Sequence, residues 1–267
     1  MCLTEEERVA GDSVQSLERA IEILQTLKKA QRPLMLREIS NATGMAKSTV
    51  HRLLSTMRDA DLIEQGQDGR YALGMSLFEM GSAAASNRNV TTVARPYMQQ
   101  ISRELGESVS LTLLSHGEAL LLSFIESTSP FHVVARVGSK MPPHCTVQGK
   151  LMLAYLPEEE VKRIIAEQGM HMFTPATIQT YEELRDELKK ITIQGYAVDD
   201  GEYHIGLTSV GAPIYDDSGM VRYCFGIVSM FHRNGSPEFI FAKKRAVEAA
   251  RDISKALGYQ GHAFDEI

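Results

Sequence analysis

The stretch richest in chemistry is HCTVQGK, residues 144–150. His144 beside Cys145 is the pair from which a thiol nucleophile is built. Gly149-Lys150 ends like a phosphate loop. Cys145 with Asp199, Asp200 or His204 would make a metal site. A phosphate loop needs a first glycine five residues before Gly149 and a hydroxyl after the lysine. Here those positions are His144 and Leu151, so that reading fails. A nucleophile needs a base within reach and a group to orient it. Neighbours in an extended segment point to opposite sides, which leaves Cys145 without its base. For metal, the spacing decides nothing. A helix entry satisfies all of these residues. Thr146 caps it, and the amides of Val147, Gln148 and Gly149 then point outward. Such an end attracts a carboxylate. Gly149 lets another backbone or a ligand come close. HCTVQGK thus reads as one wall of a ligand site, with no catalytic residue and no cofactor.

Elements must position this wall, and the composition allows them. The chain has 267 residues, 43% apolar and 23% charged, enough for two domains with proper cores. Three cysteines without a CxxC pair fit a reducing cytoplasm rather than a disulfide framework. No apolar run spans a bilayer, and MCLTEEERVAGD lacks the apolar core of a signal peptide. The net charge of −6 excludes a polycation, so any nucleic-acid contact needs a local face.

The N-terminal third supplies that face. Leu17, Ala20, Ile21, Leu24 and Leu27 predict one helix, capped by Ser13 or Ser16. A second runs from Leu36 to about Thr43 and is broken by Gly44. A third follows within a few residues, which is a helix-turn-helix. Val50, Leu53, Leu54 and Met57 turn inward; Ser48, Thr49, His51, Arg52 and Ser55 remain outside, with Lys47 at the entry. LIEQGQDGRYALG then reads strand, Asp-Gly turn, strand: a wing with Arg70 at its root. Residues 12–75 carry a net charge of +1 and the rest of the chain −7. Ser48, Thr49 and Arg52 suit base edges, Lys47 and Arg70 suit phosphates, and His51 suits either.

The remainder predicts an α+β domain. Helices lie over MSLFEMGSAAASNRN and VTTVARPYMQQISRELG, the latter with Pro96 in its first turns. Strands follow over SVSLTLLSHG, EALLLSFIES and FHVVARVG. Helices cover 144–156, LPEEEVKRIIAEQG and 181–194; VDDGEYH is an acidic turn or a ligand loop; two strands and a C-terminal helix close the domain.

Taken together, SVQSLERAIEIL, LREISNATGMAKSTVHRLL, GRYALG, ARVGSKMPPHCTVQGKLMLA and GYAVDDGEYHIGLTSVGAPIYDDSG resemble the IclR family of bacterial transcription regulators over nearly the whole chain. Residues 1–11 read as a disordered or flexible tail, and the resemblance implies a winged helix-turn-helix (12–75), a linker helix used in dimerisation (76–90) and a GAF-like, antiparallel-sheet effector domain (91–262). It implies a homodimer or a dimer of dimers on double-stranded operator DNA, controlled by a small organic effector. Repression is the commoner mode. Activation, a metal-responsive regulator and a Cys145-based enzyme are the alternatives. Carried over by position, the effector site comprises Val147, Gln148, Gly149, Asp199, Leu207, Ser209, Gly226 and Val228. Relatives that bind small keto-acids have hydroxyls where this chain has Gly226 and Val228. Two lost donors and the space left by glycine point to a larger, partly apolar effector, an aromatic one included.

Overall fold

The computed structural model describes residues 14–86, 90–129, 133–229 and 234–264. They form two compact units that divide between Arg88 and Asn89.

The first unit holds α1 (Gln15–Ala30), α2 (Leu36–Thr43), α3 (Lys47–Asp59), the hairpin β1 (Ile63–Gln65) and β2 (Tyr71–Leu73), and α4 (Met75–Ser86). Ile23, Leu27, Ile39, Val50, Leu54, Met57, Ile63 and Tyr71 form its core. Gly44 ends α2 in the left-handed region at φ 65°, which glycine adopts without steric cost. Tyr71 pairs with Gln65 on one side and bridges Leu34 on the other, so the wing root is stitched to the entry of α2. The start of α1 departs from expectation. Val14 stands at its N-cap with no side-chain cap, and Ser16 lies inside the first turn. Ser13 is outside the described residues. Leu17 and Ile21, expected inward, are 59% and 47% exposed. The apolar stripe on α1 is wider than the core beneath it, and Ile23 and Leu27 fill that core.

The second unit is a six-stranded antiparallel sheet in the order β5-β4-β3-β8-β7-β6. Its strands are β3 (Ser108–Ser115), β4 (Glu118–Ile125), β5 (Lys140–Met141), β6 (Ala197–Asp200), β7 (Thr208–Tyr215) and β8 (Val221–Ser229). One face is covered by α5 (Val90–Leu105) and α9 (Pro237–Ala256). Val109, Leu111, Phe225, Ile227, Val210 and Ala212 meet Ala94, Met98, Ala246 and Ala250 there, and the alanines of α9 let helix and sheet approach closely. The other face is covered by α6 (Val147–Ala154), α7 (Glu158–Gln168) and α8 (Tyr181–Gln194). Two sequence expectations need correction. The strand expected over FHVVARVG is not found in residues 133–138, Phe131 and His132 lie outside the described residues, and pairing with β4 falls to Lys140 and Met141. Val134 and Val137 are 70% and 66% exposed, so their β-propensity meets no packing partner. The VDDGEYH segment, expected as an acidic turn or a ligand loop, begins within the edge strand β6, with Asp199 opposite Ser209.

Candidate functional site

On the second unit the site grows out of strand alternation. Ser108, Ser110 and Thr112 of β3 project away from α5 and α9, because Val109 and Leu111 project toward them. Pairing across the sheet then fixes transverse rows, since directly opposed residues share a face. One row is Ser108–Val228–Ser209–Asp199 and the next is Ser110–Gly226–Gly211–Ala197. Ser108, Ser110, Ser209 and Asp199 are all at most 3% exposed. The sheet therefore buries a polar surface, and α6 lies over it.

The start of α6 is built as the sequence suggests. Thr146 caps it and accepts from the Gly149 amide at 3.2 Å, while its hydroxyl donates to the Pro142 carbonyl at 2.7 Å. A Cβ on Gly149 would sit 2.4 Å from Cα of Pro143. This glycine therefore serves a backbone approach, and its amide is spent on the cap. Val147 and Gln148 supply the remaining first-turn amides. Gln148 reaches down to the sheet and donates from Nε2 to Ser110 Oγ at 3.1 Å. The space above Gly226 is filled by this pair: a Cβ there would meet Ser110 Oγ at 2.6 Å and Gln148 Nε2 at 3.2 Å. The expectation that Gly226 leaves room for a larger ligand does not hold at that spot.

Asp199 closes the row at β6. Burial, with the nearby Glu202 carboxylate, pushes its carboxyl up to about 7, and the amide of Glu202 partly offsets this at 2.7 Å. Glu202 also pairs with Lys150 of α6, which is 1% exposed and has Glu187 of α8 at 3.7 Å. Two further hydroxyls pin the loop after β6: Thr174 donates to the Gly201 carbonyl at 2.6 Å and Thr177 to the Glu202 carbonyl at 2.7 Å. Leu207, at the far end of this loop, accepts from the Gly201 amide at 2.9 Å and is half-buried. Structure thus gathers Val147, Gln148, Asp199, Ser209, Gly226 and Val228 on one side of one sheet. Sequence reasoning missed Ser110, Glu202, Thr174 and Thr177, and it weighed Lys150 only as a phosphate ligand. The Ser-Val-Ser-Leu-Thr alternation was the available signal for Ser110.

Cys145 and His144 do other work. Burial pushes the Cys145 thiol up to about 12, with Asp199 and Glu202 adding to the effect, so it is a neutral thiol at physiological pH. His144 is held below its usual value by burial; its Nε2 meets the His171 carbonyl at 3.0 Å and its ring faces Phe173. Among the described residues no group of three or more His, Cys, Asp or Glu side chains is placed to hold a metal ion.

On the first unit, Lys47 opens α3, and Lys47, Ser48, His51 and Arg52 are exposed, with Thr49 half-buried. Arg70 is already engaged: Nε lies 3.3 Å from Asp68 and Nη1 lies 3.6 Å from Glu38. Glu38 is held low by the Met35 amide and by Arg32. A groove of about 720 Å³ runs between α2 and the wing, bordered by Arg37, Glu38, Lys47, Gln65 and Arg70. Arg37, exposed on α2, is a cation that sequence reasoning passed over.

A helix-turn-helix with an exposed polar face on one unit and an antiparallel-sheet domain as the other are the make-up of a DNA-binding transcription regulator. The comparisons name the family. Residues 16–67 match the IclR helix-turn-helix domain, and residues 82–255 match the bacterial transcriptional regulator IclR C-terminal domain. The chain is 35% identical over 257 residues to the HTH-type transcriptional repressor AllR of Escherichia coli K12, covering 96% of this chain and 95% of that protein. AllR of Salmonella typhi is 35% identical over 253 residues, or 94% and 93% of the two chains. An IclR homolog complexed with 4-hydroxybenzoate from Microbacterium hydrocarbonoxydans superposes with TM-score 0.82 at 25% identity, covering 91% and 99%. Thermotoga maritima IclR gives 0.73 at 30% identity, covering 91% and 99%. The chain belongs to the IclR family of bacterial transcriptional regulators. It is a DNA-binding regulator and not an enzyme, so a Cys145-based reaction is set aside. Among the described residues no helix is long and apolar enough to cross a membrane.

Proposed function

We propose that this protein is a cytoplasmic repressor whose hold on operator DNA changes when a small organic acid binds the inner face of the sheet in its C-terminal domain. The buried polar row Ser108–Val228–Ser209–Asp199 under the capped start of α6 carries this reading. Ser108 Oγ accepts from the Ser127 amide and Asp199 from the Glu202 amide, so the row is a preorganised polar lining beside a capped helix start, and a few fixed polar groups of this kind orient a small ligand. The relatives named above are repressors, and a structural neighbour holds 4-hydroxybenzoate. Both support the direction of control and the kind of ligand.

Ser48, Thr49 and Arg52 read base edges, Lys47 and Arg70 meet phosphates, and His51 does either. Val147, Gln148, Asp199, Leu207, Ser209, Gly226 and Val228 line the effector site, with Gly149 shaping it. The winged domain runs over 12–75, the linker over 76–90 and the effector domain over 91–262. A homodimer forms through the first unit, where Val14, Leu17 and Ile21 on α1 and Met75 and Phe78 on α4 stand exposed. A dimer of dimers would use the second unit. The test is a binding titration with DNA from upstream of the protein's own gene. The reading requires binding, and it requires that at least one small carboxylic acid weaken it. Light scattering on the same sample must give twice the chain mass or four times it.

A further inference from the structure

The effector site has a hydroxyl on β8's side of the sheet after all, but β3 carries it. Ser110 is 2% exposed and directly opposite Gly226. Its Oγ lies 2.6 Å from where a Cβ on residue 226 would be. A Cβ at 226 therefore requires the Ser110 hydroxyl to move from the position it holds here.

The Ser110 hydroxyl accepts from Gln148 Nε2 at 3.1 Å. Its own hydrogen goes to the Gly226 carbonyl at 3.4 Å, which is long for an O–H donor. A charged oxygen brought within ordinary reach would capture that hydrogen, because charge-assisted bonds are shorter and stronger. Gln148, fixed by Ser110, would then present its carboxamide to the same group.

Resting on the effector reading above, we propose that Ser110 is a specificity-determining residue of the site: its hydroxyl, oriented by Gln148 and admitted by Gly226, donates to the carboxylate of the effector. Gly226 is the complement of Ser110 and not a sign of a larger ligand.

The test uses the full-length protein and titration calorimetry, with glyoxylate, pyruvate and 4-hydroxybenzoate as probes. The acid that binds wild type most tightly is then titrated into three variants. Ser110→Ala should weaken it about tenfold, the loss of one bond to a charged group. Gly226→Ser alone should also lose the acid, because its side chain collides with Ser110 and pushes Gln148 aside. The double variant Ser110→Gly/Gly226→Ser should recover affinity to within about threefold of wild type, a coupling that independent sites would not show. The proposal is overturned if Ser110→Ala binds like wild type, if the two single losses simply add in the double variant, or if none of the three acids binds wild type. Calorimetry needs no operator, so a failure of DNA binding would strike the regulator reading separately.

Discussion

The two surfaces that this protein needs are made in opposite ways. The proposed reading surface of α3 keeps its polar groups in water: Lys47, Ser48, His51 and Arg52 are exposed, and the apolar side of the helix does the folding. On the sheet the polar groups are buried, and folding must solvate them from inside the protein. Ser110 is satisfied by Gln148, Asp199 by the Glu202 amide, and Lys150 by Glu202 and Glu187. A residue of the first kind can change with little effect on stability. One of the second kind cannot, because its partner stays behind without compensation.

That contrast orders the expected effects. Lys150→Met should do most damage. It leaves Glu202 and Glu187 facing each other without their cation, and breaking a buried pair in this way costs about 3–5 kcal/mol. Urea unfolding of the purified variant measures it, and a loss below about 1 kcal/mol would place Lys150 with the surface residues.

Next comes pH. Asp199 is protonated more readily folded, at about 7, than unfolded, at the ordinary aspartate value of 3.8. The folded state therefore binds more protons in that window, and stability falls as pH rises from about 4 to about 7, then levels off. The full span is at most about 4 kcal/mol. Asp199→Asn should flatten that slope, and unfolding curves across the window would show a persisting slope if another group were responsible.

Arg52→Ala should weaken specific DNA binding by about 1–3 kcal/mol and leave unfolding within about 0.5 kcal/mol of wild type. Operator binding unchanged by Arg52→Ala would remove that residue from the reading surface. Arg70→Ala should do least, because Asp68 and Glu38 already share its charge; the salt dependence of DNA binding should fall by less than the full slope of one phosphate contact.

The same contrast decides what could be read from the sequence. On α3, inward and outward residues repeat at 3.6, so Val50, Leu54 and Met57 identify their own opposite face. The wing was legible from the Asp-Gly turn. The helix entry at Thr146 was legible because a capping hydroxyl before an apolar run is a local signal. The buried polar face was not local. Ser110 faces Gly226 across more than a hundred residues of chain, and only strand register brings them together. That distance made the glycine look like open space. Asp199 looked like part of a turn because Asp-Asp-Gly usually marks one, whereas pairing with Ser209 makes it strand. Exposed Leu17 and Ile21 show the reverse limit: periodicity finds an apolar stripe but not how much of it one chain can cover.

The central claim is that the two surfaces are coupled, so that a small acid on the sheet changes what α3 does. Fluorescence anisotropy with DNA from upstream of the protein's own gene tests it directly, with and without saturating acid chosen by calorimetry. The account predicts tight binding that the acid weakens by about tenfold or more, within the usual range of allosteric coupling. DNA binding that stays the same while calorimetry shows the acid bound would contradict it.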